Sequence, residues 1–159
     1  MAPKVYISSS WKNRDAVRTL AIELRSYGFG VYDFTDPKSR SAPELPPEKY
    51  PEQFDPAKHN YAEYLKSMKE YRAAVFGNQR GIDAPQYVVL LLPCGLDSHA
   101  DWAYGVGKKK RTLIVGHPGL GVRVPSHLWA DGFVSDATQV AKWLTTDYLS
   151  KDFPGNGGF

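Results

Sequence analysis

The residues best placed to do chemistry stand just after the apolar run Tyr87 to Leu92, where Ser98-His99-Ala100-Asp101 brings a hydroxyl, an imidazole and a carboxylate into the first turn of an expected helix. An acid in a first turn often only complements the helix dipole, and a lone histidine is more often hydrogen-bonded scaffold than catalyst. Asp101, however, is followed by Trp102, Ala103 and Tyr104 and not by a polar face. An apolar neighbourhood disfavours the ionised form, raises the pKa and makes a carboxylate chemically useful. A second cluster, Ser8-Ser9-Ser10 with Lys12 and Arg14 close behind, precedes another helix. Hydroxyls and free N–H groups at that place suit a phosphate or a ribose, and equally suit capping. Other chemistries find less support. His59, His99, His117 and His127 show no short ligand spacing, and the single cysteine, Cys94, forms no cluster, so no metal site is expected. No Gly-x-Ser-x-Gly elbow marks a serine nucleophile. Carboxylate chemistry is what is left.

The elements that must position these groups follow from patterning. Tyr87 to Leu92 is apolar without helical spacing, as in a parallel strand buried on both faces, and Pro93 ends it. Ala100 to Lys108 reads as a short helix and Thr112 to Val115 as the next strand. Upstream, Lys4 to Ile7 reads as a strand, Asp15 to Tyr27 as a helix with Val17, Leu20, Ala21 and Leu24 on one face, and Phe29 to Phe34 as a second strand. That βαβ unit requires a right-handed crossover and a parallel sheet. Tyr61 to Val75 reads as one helix with Tyr61, Tyr64, Leu65, Met68, Tyr71 and Arg72 along a side. Gly132 to Val134 reads as a fifth strand, and Asp136 to Leu149 as a final helix capped by Asp136. The succession predicts an α/β fold, a doubly wound five-stranded parallel sheet in the flavodoxin-like order 2-1-3-4-5. Its topological switch point, between the first and third strands, brings Ser8 to Trp11 and Cys94 to Asp101 into one crevice.

Composition sets the class. With 159 residues, 42% hydrophobic and 23% charged, residues 1–150 read as a single α/β domain, interrupted at 35–57 by a proline-rich insertion and followed by a glycine-rich tail, 151–159. A long irregular insertion on the ligand side suggests a lid, a binding loop or a disordered segment. A net charge of +3 is too small to indicate a nucleic acid polymer, and Lys108-Lys109-Lys110-Arg111 reads as the solvated end of a helix. One cysteine excludes an internal disulfide and suits a reducing compartment. The amino terminus runs directly into a strand and no apolar run reaches membrane-spanning length, so a cytoplasmic protein without membrane contact is expected.

Several of these segments together resemble the nucleoside 2-deoxyribosyltransferase family and its nucleotide N-glycosidase relatives: Val5-Tyr6-Ile7-Ser8-Ser9-Ser10-Trp11, Val31-Tyr32-Asp33, the strand ending at Pro93, and Asp101-Trp102-Ala103-Tyr104-Gly105-Val106-Gly107-Lys108. The resemblance spans most of residues 4–145 and implies a flavodoxin-like fold that cleaves the bond between a base and the anomeric carbon of a sugar. It implies that Asp101 takes the place of the nucleophilic glutamate in Glu-x-Gly-Tyr-Ala-x-Gly-x-Gly-Lys and Tyr6 that of the tyrosine orienting it. Asn78 falls near an acid that handles the leaving base, with Asp83 and Asp97 as neighbouring alternatives. Ser8, Ser9, Ser10, Trp11, Asp33, Ser98 and His99 become candidate substrate contacts. The resemblance further implies homo-oligomers in which carboxyl-terminal residues, here Asn156 to Phe159, complete a neighbour's site, and it calls for no cofactor. Two departures stand out: aspartate replaces glutamate, shortening the reach by about one carbon–carbon bond, and Ala103 replaces the glycine before Tyr104.

The leading expectation is therefore cleavage or exchange of the N-glycosidic bond of a nucleoside or nucleoside 5′-monophosphate. Two alternatives accompany it. One is an NAD glycohydrolase like the TIR-like relatives, which also place a carboxylate on a flavodoxin-like sheet. The other is a catalytically silent nucleotide-binding or interaction module, for which the aspartate, the insertion and an aromatic content of 13% speak.

Overall fold

In the computed structural model, which describes residues 2–39, 52–69 and 71–150, the apolar run becomes the middle strand of the sheet. β1 (Lys4–Ser8), β2 (Gly30–Tyr32), β3 (Tyr87–Leu91), β4 (Arg111–Val115) and β5 (Gly132–Val134) form one sheet in the order β2-β1-β3-β4-β5. Every pairing is parallel. This is the expected flavodoxin-like order, with the switch point between β1 and β3.

Strand side chains alternate across the sheet, and this sheet is covered on both sides. Val5, Ile7, Tyr87, Val89, Leu91, Leu113 and Val115 meet Val17, Leu20, Ala21 and Leu24 of α1 (Arg14–Ser26) and Val140, Ala141 and Leu144 of α5 (Val140–Ser150). The other face carries Tyr6, Val88, Leu90 and Ile114, which pack with Ile82 of α3 (Tyr71–Asp83) and Trp102 of α4 (Leu96–Gly107). Trp102 is 1% exposed, and its ring stands edge-on to His127 at 6.0 Å. Truncating so large a buried side chain removes transfer energy and leaves a cavity. Trp102→Ala is expected to lower stability by about 3–5 kcal/mol, read from the midpoint of denaturant unfolding.

Five expectations are corrected. The helix expected over Tyr61 to Val75 is two: α2 (Tyr61–Ser67) and α3. No residue of α2 is buried; Tyr61 and Tyr64 pack instead on Phe54, with ring centroids 5.2 and 5.3 Å away. α3 packs on the sheet, so the two segments follow different partners. β2 is shorter than Phe29 to Phe34 because Asp33 turns the chain, its Oδ1 accepting from the backbone N–H and the hydroxyl of Thr35 at 2.8 and 2.7 Å. The helix carrying Asp101 begins at Leu96 and not at Ala100, which puts Asp101 in the second turn and makes Asp97 the first-turn acid. Arg111 is no solvated helix end: it opens β4 and forms ion pairs with Asp131 and Asp147. Asp136 caps a 3-10 turn, Ala137–Gln139, that leads into α5. Most of the proline-rich insertion and the whole tail 151–159 lie outside the described residues.

Candidate active site

Three elements converge on the carboxylate of Asp101. β1 ends at the switch point and presents Tyr6 to the α4 side of the sheet, where its hydroxyl donates to Asp101 Oδ2 at 3.2 Å. α3 contributes Asn78, whose Nδ2 donates to the same oxygen, also at 3.2 Å. Both donors use Oδ2, and Oδ1 accepts no hydrogen bond among the described residues. Asp101 is thus held, among the described residues, by one of its two oxygens.

Burial pushes the Asp101 carboxyl up to about 6; the Tyr6 hydroxyl and the Asn78 amide pull it down, while the charge of Asp97, one helical turn earlier, pushes it up. Tyr6 moves upward too, through burial first and then through the negative charge of Asp101 and the neighbouring Tyr32. Its phenol therefore stays protonated and remains a donor. Near neutral pH the pair consists of a poorly solvated carboxylate and a neutral hydroxyl that donates to it.

The support behind Tyr6 was not singled out by sequence reasoning. Tyr32 of β2 stacks on Tyr6, with centroids 4.8 Å apart and planes inclined by 20°. Tyr32 in turn lies against α3 at Gly81, where a Cβ would stand 2.7 Å from the ring. Gly81 is one turn beyond Asn78, so the contact that pins the tyrosine pair also fixes the helix carrying the second donor. The signal lay in the sequence as a glycine inside a helix, which helix propensity alone discounts.

The serines tie the two loops together. Ser8 Oγ donates to the Ser98 carbonyl at 2.9 Å, and Ser9 Oγ donates to the Leu91 carbonyl at 2.8 Å and accepts from Asn13 Nδ2 at 3.1 Å. Ser10 caps the 3-10 turn Trp11–Asn13, accepting from the Lys12 N–H. Capping, one of the two readings of this cluster, is therefore realised at Ser10. Trp11 is 40% exposed and meets Phe34 edge-on at 5.2 Å. Ser98 is buried in the first turn of α4, below Asp101.

The remaining candidates are not gathered at the carboxylate. Asp33 is 2% exposed and spends its carboxylate on the turn at Thr35. Asp83 lies at the amino-terminal edge of the sheet, accepting from the Tyr104 hydroxyl at 3.0 Å and pairing with Lys108 at 3.6 Å. His99 turns toward the 3-10 segment Pro125–Trp129: its Nδ1 meets the Gly95 carbonyl and its Nε2 meets His127 Nε2, both at 2.9 Å. Cys94 sits beside it with its thiol pushed up to about 11, chiefly by burial, so the thiol stays protonated. Among the described residues no group of three or more His, Cys, Asp or Glu side chains is arranged to hold a metal ion. A cavity of about 440 Å³ opens behind Tyr32, lined by Lys4, Arg80 and Gly81 among others, and shares Tyr32 but not Asp101 with the site. Among the described residues no helix is long and apolar enough to cross a membrane.

No family model and no curated protein matches this chain. Among solved structures it is similar to the CMP N-glycosidase BcmB of Clostridium botulinum, over 89% of this chain and 98% of that one, with 9% identity and a TM-score of 0.47.

Proposed function

We propose that the protein cleaves or exchanges the N-glycosidic bond of a nucleoside or nucleoside 5′-monophosphate, with Asp101 as nucleophile. The observation that carries this reading is the asymmetric hold on the carboxylate: Tyr6 and Asn78 both grip Oδ2, and no described residue donates to Oδ1. The resemblance of the Tyr6 and Asp101 segments to the deoxyribosyltransferase family supports the same chemistry.

In the reaction, Oδ1 attacks the anomeric carbon as the bond to the base nitrogen breaks; the bonding pair leaves with the base, which takes a proton from solvent. The glycosyl ester on Asp101 then reacts with water, or with a second base, at the same carbon. That step returns the carboxylate and, with water, releases one proton. Asn78 serves here as the second orienting donor and not as the acid, because a carboxamide has no proton to give near neutral pH. Asp97, one turn before Asp101 on α4, is proposed as a substrate contact. Tyr6 keeps Oδ2 fixed throughout, since a neutral phenol can donate both to the carboxylate and to the ester carbonyl that replaces it.

The test is chromatographic detection of free base after incubation with a panel of nucleosides, nucleoside 5′-monophosphates and NAD. Base release from a nucleoside or a monophosphate is the expected result, with kcat/KM falling about tenfold per pH unit below a limb near pH 6, since only the ionised Asp101 attacks. Release from NAD alone would replace this reading with that of an NAD glycohydrolase. Nucleotide binding by calorimetry without any turnover would make the protein a silent binding module.

A further inference from the structure

Tyr6 and Val88 are partners across the β1–β3 pair and point to the same side of the sheet. α4 packs against both strands here. Gly105 sits on Val88, and Asp101, one turn earlier on the same face of the helix, meets the Tyr6 hydroxyl. A Cβ at position 105 would stand 2.7 Å from Val88 Cγ2 and 3.2 Å from Val88 Cβ, so the helix backbone is closer to β3 than a residue with any side chain allows.

The closeness matters because the acid is short. Aspartate reaches about 1.5 Å less far than glutamate, the length of one carbon–carbon bond. Both hydrogen bonds to Oδ2 already measure 3.2 Å, at the long end for such contacts. The arrangement has no slack: a methyl at position 105 would lift α4 and carry Oδ2 beyond the reach of Tyr6.

We infer that Gly105 is a positioning residue, setting the distance between α4 and the sheet so that a carboxylate of aspartate length reaches Tyr6 and Asn78. The inference rests on Asp101 being the nucleophile. Glycine at this place and aspartate at 101 are two halves of one adjustment, and a longer acid would fit a helix standing further out.

The test compares wild type, Gly105→Ala, Asp101→Glu and the double variant, by kcat and KM for base release from the substrate that the wild type cleaves, and by crystal structures. In Gly105→Ala, kcat is expected to fall roughly 10- to 100-fold with KM little changed, and the Tyr6 hydroxyl to lie beyond hydrogen-bond distance of Asp101. Asp101→Glu alone should also be slow, because the longer acid overshoots. The double variant should regain at least about tenfold over Gly105→Ala, with the hydrogen bond restored. A glycine needed only for packing gives no such rescue, so a double variant as slow as the product of the singles overturns the inference, as does a Gly105→Ala structure that keeps the bond. If Gly105→Ala does not fold, the Asp101→Glu crystal structure decides: a longer carboxylate that keeps both hydrogen bonds with α4 still seated on Val88 overturns the inference, and one that loses them or pushes α4 away from Val88 supports it. A wild type that releases no base defeats the proposed reaction instead, while the crystallographic distances still judge the spacing.

Discussion

Asp101→Asn is expected to abolish base release, by about 10³-fold or more, while making the protein more stable at neutral pH. Both effects have one origin. The carboxylate sits where its charge is poorly solvated, and its folded pKa of about 6 lies above the ordinary value of 3.8. Below about pH 4 the group is protonated in the folded and the unfolded chain, and it adds no pH dependence. Between about 4 and 6 the unfolded chain ionises and the folded one does not, so stability falls as pH rises. Above 6 both are ionised and the folded state carries the whole penalty, on the order of 2–3 kcal/mol. Asparagine removes the charge and keeps a carbonyl oxygen, to which Tyr6 and Asn78 can still donate. Differential scanning calorimetry should therefore show a melting temperature several degrees higher than wild type at pH 7, and a difference that closes near pH 4. A less stable Asp101→Asn at pH 7 would mean that the carboxylate stabilises the fold and is not strained in readiness for chemistry. The proposed role would then lose its physical basis.

What could be read from the sequence and what could not separates along physical lines. The strands were legible because an all-apolar run such as Tyr87 to Leu92 leaves few alternatives to a strand covered on both faces, and the βαβ unit fixed the handedness. Ser8 to Trp11 and Cys94 to Asp101 come together because strand ends at a switch point define a place without any side-chain detail, whereas Tyr6 enters beside Asp101 only through the resemblance to the deoxyribosyltransferase family. The break between α2 and α3 was not legible: it depends on which partner each segment packs against, and α2 finds Phe54 while α3 finds the sheet. The uses of Ser8 and Ser9 were hidden for a related reason, since their acceptors are backbone carbonyls about 80 to 90 residues away. Asp33 and Asp83 look like site acids in sequence, yet one is consumed by its own turn and the other sits at the far edge of the sheet. Gly105 and Gly81 carry the least sequence signal of all. What they contribute is the absence of an atom, which has meaning only once Val88 and Tyr32 are seen against them.

Tyr6→Phe should separate orientation from ionisation. Phenylalanine keeps the ring on Tyr32 and in the core, so packing changes little. The lost hydroxyl has two consequences. Oδ2 is left with the Asn78 amide alone, so the carboxylate can rotate away from its attacking pose, which should lower kcat about 10- to 100-fold at any pH. The loss also removes a hydrogen bond that favoured the ionised form, so the Asp101 pKa must rise above about 6. The acid limb of the kcat/KM profile then moves to higher pH, and the deficit against wild type grows as pH falls from 8 to 6, since less of the variant's Asp101 is ionised there. Asn78→Ala should move the limb in the same direction by a smaller step, because the amide lowers the pKa less than the phenol does. The order of these shifts is the diagnostic. A nucleophile gripped by both donors gives two graded upward displacements, whereas a tyrosine that only fills the core would be replaced by phenylalanine with little change in stability and with the limb where it was. A limb unmoved in Tyr6→Phe, or moved downward, would mean that the group titrating in the reaction is not Asp101.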